Sequence, residues 1–256
     1  NKDDKAVLSR LKILVQEKNS VFISQDSPAV SRVIQPDGAE KRHNIVLVIE
    51  ESLSADYLTS FGNDKGITPN LDKLARESLF FTHLYATGTR TVRGLEAITL
   101  SMPPLPGTSI VKRPKNENFV SWGSVMKEKG YDNKFIYAGH GYFDNMNYFY
   151  ATNGFKTIDR TDFSKSEITF TNAWGVCDED LFLKVIKEAD LSHGNRKPFF
   201  SVVMTTSNHR PFTYPEGKID IPSHTGRSGG VKYADYAVGR LLAEAKKKPW
   251  FNDTIF

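Results

Sequence analysis

From residue 43 onward, short and evenly apolar runs alternate with helix-patterned segments. NIVLVIE (44–50), LFFTHLYA (79–86), NKFIYA (133–138), PFFSVVMTT (198–206) and DTIF (253–256) read as strands. Between them NLDKLARES, VSWGSVMKEKG, DEDLFLKVIKEA and YADYAVGRLLAEAKKK carry apolar residues at three- and four-residue spacing and read as helices. Several of the runs lack polar alternation, which predicts strands buried on both faces. The predicted fold class is therefore α/β, a mostly parallel central β-sheet sandwiched by helices. Upstream, Val7, Leu8, Leu11, Leu14 and Val15 fall on one helical face and precede a polar stretch with Pro28, Pro36 and Gly38. Residues 1–42 are expected to be an amphipathic lead-in arm, and residues 43–256 the domain that carries the sheet.

Composition narrows the partners. Of 256 residues, 39% are hydrophobic and 25% charged, an ordinary globular balance with no stretch long and apolar enough to span a membrane. The net charge of +4 arises from 34 basic and 30 acidic residues, which mildly favours anionic ligands but lacks the charge density of a nucleic-acid binder. No nucleic-acid partner is expected. Cys177 is the single cysteine, so the chain forms no internal disulfide and no cysteine-rich metal knuckle. The start at NKDDKAV, with neither an initiator methionine nor a signal peptide, reads as a piece of something longer.

In parallel sheets, ligands sit at the carboxyl ends of the strands. Glu50, Glu51 and Ser52 follow NIVLVI directly, and two carboxylates at the end of a buried strand are costly unless a cation neutralises them. Asn208, His209 and Arg210 follow PFFSVVMTT at a second strand end. In TGTRTVRGLE (87–96), Thr89, Arg90, Thr91 and Arg93 precede the helix-like run Leu95, Ala97, Ile98 and Leu100. A helix N-terminus there would aim free N–H groups and a partial positive charge at an anion in the turn, giving a phosphate or sulfate site with a hydroxyl inside it. From the residues alone, plainer readings stay open. Thr89 or Thr91 would be an N-cap, the arginines solvated, one glutamate a loop residue, and His209 structural.

These elements resemble the alkaline phosphatase and sulfatase superfamily, and within it the lipoteichoic acid synthase-like phosphoglycerol transferases of bacterial envelopes. The resemblance runs over residues 43–256 through NIVLVIEESLSADYLTSFG, GITPNLDKLARESLFFTHLYATGTRTVRGLEA, FIYAGHGYFDNMNYF, AWGVCDEDLF and TTSNHRPF. It implies Glu51 as a metal ligand and Thr91 as both nucleophile and metal ligand, with Thr87 and Thr89 as fallback assignments. It implies His209 as a substrate-binding residue; Asn208 beside it, and Arg93 by its charge, are expected to serve the same purpose. The implied cofactor is one divalent metal, manganese with magnesium as the alternative. The implied reaction is transfer or hydrolysis of a phosphodiester headgroup. The implied partners are a phospholipid headgroup donor and a glycan or glycerol-type acceptor. The implied location is the extracytoplasmic face of a bacterial membrane, with membrane association through a segment outside this chain.

Departures from the family pattern bear on these expectations. Sulfatases carry Cys-x-Pro-x-Arg or Ser-x-Pro-x-Arg where this chain has TVRG, and phosphoethanolamine transferases usually carry several disulfides; both chemistries are disfavoured. Headgroup-binding tryptophan and arginine residues of the Gram-positive synthases would fall near Phe143 to Met146, where this chain has FDNM. The family continues beyond a strand like DTIF to an Asp-His pair that completes the metal site, so the resemblance leaves this domain incomplete at its C-terminal end. A sulfatase or phosphatase of the same superfamily, or a non-catalytic module that binds envelope polymers, stands as the alternative.

Overall fold

A computed structural model describes residues 3–24, 29–103 and 105–256; Pro28 of the polar stretch lies outside them. The chain divides into two compact units, Asn1–Arg42 and His43–Phe256. In the first, helix α1 (Asp4–Val15) is capped by Asp3, whose carboxylate accepts from Lys5 N at 3.0 Å. Strands β1 (Ser20–Phe22) and β2 (Arg32–Ile34) form an antiparallel ribbon in which Val21 faces Val33. No residue of α1 is buried, and Val7, Leu11 and Leu14 of the apolar stripe are exposed.

The second unit is built on β3 (Asn44–Ile49), β4 (Asp132–Tyr137), β5 (Lys156–Ile158), β6 (Phe199–Met204) and β7 (Thr254–Ile255). They form a parallel sheet in the order β5-β4-β6-β3-β7, with β6 in the middle. Helices α2 (Pro69–Glu77), α3 (Thr91–Leu100), α4 (Trp122–Glu128), α5 (Met146–Thr152), α6 (Asp178–Gly194) and α7 (Arg227–Ala245) cover it. The evenly apolar strands are explained by burial on both faces. Val46, Ile136, Phe199 and Val203 point to one side, into a core with Leu181 and Val185 of α6 and Leu241 of α7. Their neighbours Phe135, Tyr137, Phe200, Val202 and Met204 point to the other side, among Leu95 of α3 and Phe149 and Tyr150 of α5. Phe135 and Tyr150 stack across that second core, with ring centroids 3.7 Å apart. The predicted α/β architecture is the one observed.

Several elements differ from the sequence reading, which did not include the short strands β1, β2 and β5. Residues 79–86, expected to be a strand, form none, and Leu79, Phe81, Leu84 and Tyr85 are exposed. An extended apolar run becomes a strand only when another strand takes up its backbone hydrogen bonds, and none of the described residues does so here. Helix α5, by contrast, is unread from the sequence: Met146, Phe149 and Tyr150 recur at i, i+3 and i+4, but over only seven residues. It forms from MNYFYAT because Met146, Phe149 and Tyr150 fill the second core.

Glu96 of α3 ties that helix to the loop beneath it. Its carboxylate is buried and accepts from Ser109 Oγ at 2.6 Å, Ile110 N at 2.6 Å and Arg93 Nη1 at 2.8 Å. Burial alone would raise its pKa, yet the bonds from Ser109, Arg93 and Ile110 hold it below the ordinary carboxylate value. A depressed folded-state pKa stabilises above the unfolded value, so this contribution is present at neutral pH and is lost as pH falls through the folded pKa. Replacing Glu96 by Ala strands three donors and should destabilise the unit by about 3 kcal/mol in urea unfolding at pH 7. A loss below about 0.5 kcal/mol, the scale of an ordinary surface change, would show that the latch is dispensable.

Candidate functional site

Parallel pairing of β3 with β6 runs Ile45↔Phe200 to Ile49↔Met204, so both strands end at the same level. Just past those ends, Thr205 Oγ1 accepts from Glu51 N at 3.0 Å, and Asn208 Nδ2 donates to Glu51 O at 3.0 Å. Both peptide groups of Glu51 are thereby fixed. The loop that does this is itself held by Asp178 at the start of α6, whose Oδ1 accepts from Thr206 N and Ser207 N, each at 3.1 Å. Burial raises the Asp178 carboxyl to about 6, and the two N–H donors oppose that rise.

The two adjacent glutamates have different surroundings. Glu50 is enclosed, with Oε2 3.3 Å from Thr205 Oγ1 and Oε1 without a partner among the described residues. Burial first, then the charge of Asp178, pushes its pKa well above the usual carboxylate range. Glu51 instead faces an open cavity of about 570 Å³. There Thr91 Oγ1 donates toward Glu51 Oε2 at 3.0 Å and Oε1 at 3.3 Å, while Ser52 Oγ donates to Oε1 at 2.9 Å. No cationic side chain among the described residues pairs with Glu51.

Thr91 is the first residue of α3, and Arg90 is its N-cap without a side-chain cap bond. The hydroxyl therefore stands where the helix presents unpaired N–H groups and positive potential. Arg90 lines the same cavity, as do Lys112 and His209. His209 lies against Trp174, with ring centroids 3.8 Å apart, and Trp174 is fixed by donation from Nε1 to Arg210 O at 2.6 Å. The Trp174 segment sits close on the end of β4, because a Cβ on Gly175 would come within 2.2 Å of Ala138 O. Tyr137 also lines the cavity; burial, then the charges of Glu51 and Asp144, raises its phenol to about 12, so it remains a neutral hydrogen-bonding group at physiological pH.

The structure brings Glu51, Thr91 and His209 to one cavity but takes the other two expected substrate contacts elsewhere. Arg93 turns away, pairing with Glu96 and donating to Gly107 O, so its geometry is that of a structural ion pair; Arg90 and Lys112 are the cations on the cavity wall. Asn208 is buried and holds the Glu51 backbone, a positioning role rather than a substrate contact. Of the fallback threonines, Thr87 Oγ1 donates to Arg93 O at 3.2 Å, and neither Thr87 nor Thr89 lines the cavity. Sequence reasoning missed Thr205, Trp174, Lys112 and Asp144. Trp174 and Asp144 lie in segments that carried the family resemblance, whereas Lys112 lies in an irregular stretch with no local signal.

A carboxylate without an ionic partner, with a hydroxyl 3.0 Å away, is an oxygen donor pair of the kind that suits a hard divalent cation. Glu51 and Thr91 fit as part of such a ligand set. Among the described residues no group of three or more His, Cys, Asp or Glu side chains gathers to complete one.

Comparison with known proteins identifies the family. Residues 43–256 match the Sulfatase family model. The chain is 26% identical over 232 residues to phosphoglycerol transferase I of Salmonella arizonae, covering 83% of this chain and 30% of that protein. A crystal structure of an alkaline phosphatase superfamily protein from Vibrio parahaemolyticus superposes with a TM-score of 0.86 at 38% identity, covering 99% of this chain and 62% of that one. The lipoteichoic acid synthase LtaP of Listeria monocytogenes shares the fold at 21% identity, with a TM-score of 0.73 over 84% of this chain and 54% of its own. The chain thus spans under a third of the curated relative's length and under two thirds of either structure. With a family match from His43 to Phe256, the chain belongs to the Sulfatase family.

Proposed function

We propose that this chain is part of a metal-dependent phosphoglycerol transferase that acts on a phospholipid headgroup through Thr91. One observation carries the reading: the Thr91 hydroxyl stands at the N-terminus of α3, 3.0 Å from the Glu51 carboxylate, on the wall of an open cavity. A threonine hydroxyl is a weak nucleophile at neutral pH, and it needs a neighbour that favours loss of its proton. Glu51 orients that hydroxyl by accepting its hydrogen bond. The likeness to phosphoglycerol transferase I of Salmonella arizonae and to the lipoteichoic acid synthase LtaP of Listeria monocytogenes supports the assignment of substrate class.

The chemistry divides into two displacements at phosphorus. In the first, Thr91 Oγ gives up its proton to solvent and forms a bond to the phosphorus of a glycerophospholipid headgroup, and the bond to the diacylglycerol oxygen breaks; that oxygen takes up a proton from solvent and leaves. In the second, a hydroxyl of a glycan or glycerol-type acceptor gives up its proton and attacks the phosphothreonine diester, the bond from phosphorus to Thr91 Oγ breaks, and Thr91 Oγ takes up a proton. Arg90 and the free N–H groups of α3 stabilise negative charge on the phosphoryl oxygens in both steps. His209, held against Trp174, binds the headgroup or its phosphate. Glu51 and Thr91 would hold a divalent cation, manganese with magnesium as the alternative, which would supply positive charge that lowers the hydroxyl's pKa and offsets charge on the phosphate. No described helix is long and apolar enough to cross a membrane. The proposed setting is the outer face of a bacterial membrane, with attachment through a segment outside this chain.

Thr91→Ala should lower turnover of phosphatidylglycerol or a chromogenic phosphodiester by on the order of a thousandfold, about 4 kcal/mol. Thr91→Ser, which keeps the hydroxyl with more rotamer freedom, should retain measurable activity. Thermal unfolding of both should match the parent. An unchanged rate in Thr91→Ala would remove the nucleophile assignment, and a parent protein inert toward every phosphodiester tried would favour a binding module.

His209→Ala should reduce turnover by about tenfold or more while leaving the melting temperature within a few degrees, because a half-buried strand-end side chain contributes little packing. Loss of folded protein would instead assign His209 to the fold.

A further inference from the structure

Across the cavity from the Thr91 turn, Lys112 Nζ pairs with Asp144 Oδ1 at 2.6 Å. The pair is held by contacts that do not involve it. Lys112 ends a 3₁₀ turn, Ile110–Lys112, whose first residue is anchored by Glu96 through Ile110 N at 2.6 Å. Asp144 lies in a second 3₁₀ turn, Phe143–Asn145, tied to the first by Asn145 Nδ2 donating to Val111 O at 3.1 Å. Asp144 and Asn145 both adopt left-handed backbone, with φ of 52° and 62°, a conformation that Asp and Asn tolerate better than other non-glycine residues. The Glu96 and Asn145 bonds hold the two turns in place and set the carboxylate against the lysine.

We propose that Lys112 is a specificity-determining residue whose ammonium, by occupying Asp144, closes the cavity to cationic headgroups and leaves it to neutral polyol ones. This rests on the headgroup-transferase reading. Two carboxylates line the cavity, Glu51 and Asp144. Glu51 stands at the reacting end beside the Thr91 and Ser52 hydroxyls, where it is the proposed metal ligand, and Asp144 is paired with Lys112. A substrate ammonium would therefore find no free carboxylate on the wall, and would meet Arg90 and Lys112 as like charges. The aromatic wall offers little alternative, since Trp174 is covered by His209 on one side and meets Phe143 edge-on, 6.2 Å away at 79°. A vicinal diol suffers no such repulsion. It can accept from the Lys112 ammonium and donate to the second carboxylate oxygen of Asp144. Specificity here would come from a repulsive element as much as from an attractive one.

Calorimetric titration in manganese-containing buffer, with sn-glycerol 1-phosphate and phosphoethanolamine as soluble probes, tests this independently of turnover. The parent protein should prefer glycerol phosphate by roughly tenfold or more, and Lys112→Ala should move that ratio about tenfold toward phosphoethanolamine by freeing Asp144. Lys112→Gln, which keeps most of the stem, should behave alike, and adding Asp144→Asn should abolish the gain. If Lys112→Ala and Lys112→Gln weaken both probes by the same factor, Lys112 merely attracts anions and the inference is overturned while the headgroup reading stands. If the parent binds neither probe, the headgroup reading fails and takes the inference with it.

Discussion

The site depends on how Glu51 is held. At the carboxyl end of a parallel sheet the backbone leaves its ladder, and a residue there has no regular partner for its N–H or its carbonyl. Thr205 and Asn208, both from the exit of the neighbouring strand β6, supply those partners at 3.0 Å each. The register of β3 against β6 thus becomes the register of a side chain against the cavity. Asp178 extends the same constraint to α6 by binding the N–H groups of Thr206 and Ser207. Three segments distant in sequence are locked before any ligand is considered, which is the preorganisation that the proposed phosphoryl transfer would require.

Just past the end of β3, two adjacent and identical side chains take different surroundings, and their roles separate. Glu50 is enclosed beside Asp178, where burial favours its neutral form. Glu51 faces the cavity and the Thr91 hydroxyl. The sequence argument that two strand-end carboxylates need a cation therefore applies to one of them; the other is accommodated by a raised pKa. The arginines of the TGTRTVRGLE turn divide in the same way. Arg90 precedes the first helical turn and lines the cavity, whereas Arg93 lies two residues into α3 and points to the Glu96 latch, which in turn supports the loop bearing Lys112.

Strand pattern made the core legible. Runs such as NIVLVI and FFSVVM are apolar on both faces, and only a covered parallel sheet accommodates that, so β3, β4, β6 and β7 were readable within a residue or two. The run LFFTHLYA was apolar for the same apparent reason but has no neighbouring strand, and pairing is not a local property. Within the site, Glu51, Thr91 and His209 were legible because each stands at the end of an element and within a recognisable motif. Asn208 and Arg93 were assigned by charge and adjacency, and adjacency along a turn does not fix direction: one holds backbone, the other a buried glutamate. Lys112 was invisible because its place is set by Glu96 and Asn145, contacts between segments 14 and 34 residues apart in the chain.

The central claim is that Thr91 carries the transferred group. The most direct measurement is peptide mass spectrometry of the protein quenched during turnover of a slow phosphodiester, with the adduct located by fragmentation. The account predicts a phosphoglycerol or phosphoryl mass on Thr91 in the peptide that spans 91–93, absent from Thr91→Ala. An adduct on Thr87 or Thr89, or full turnover with no threonine adduct at any quench time, would contradict it.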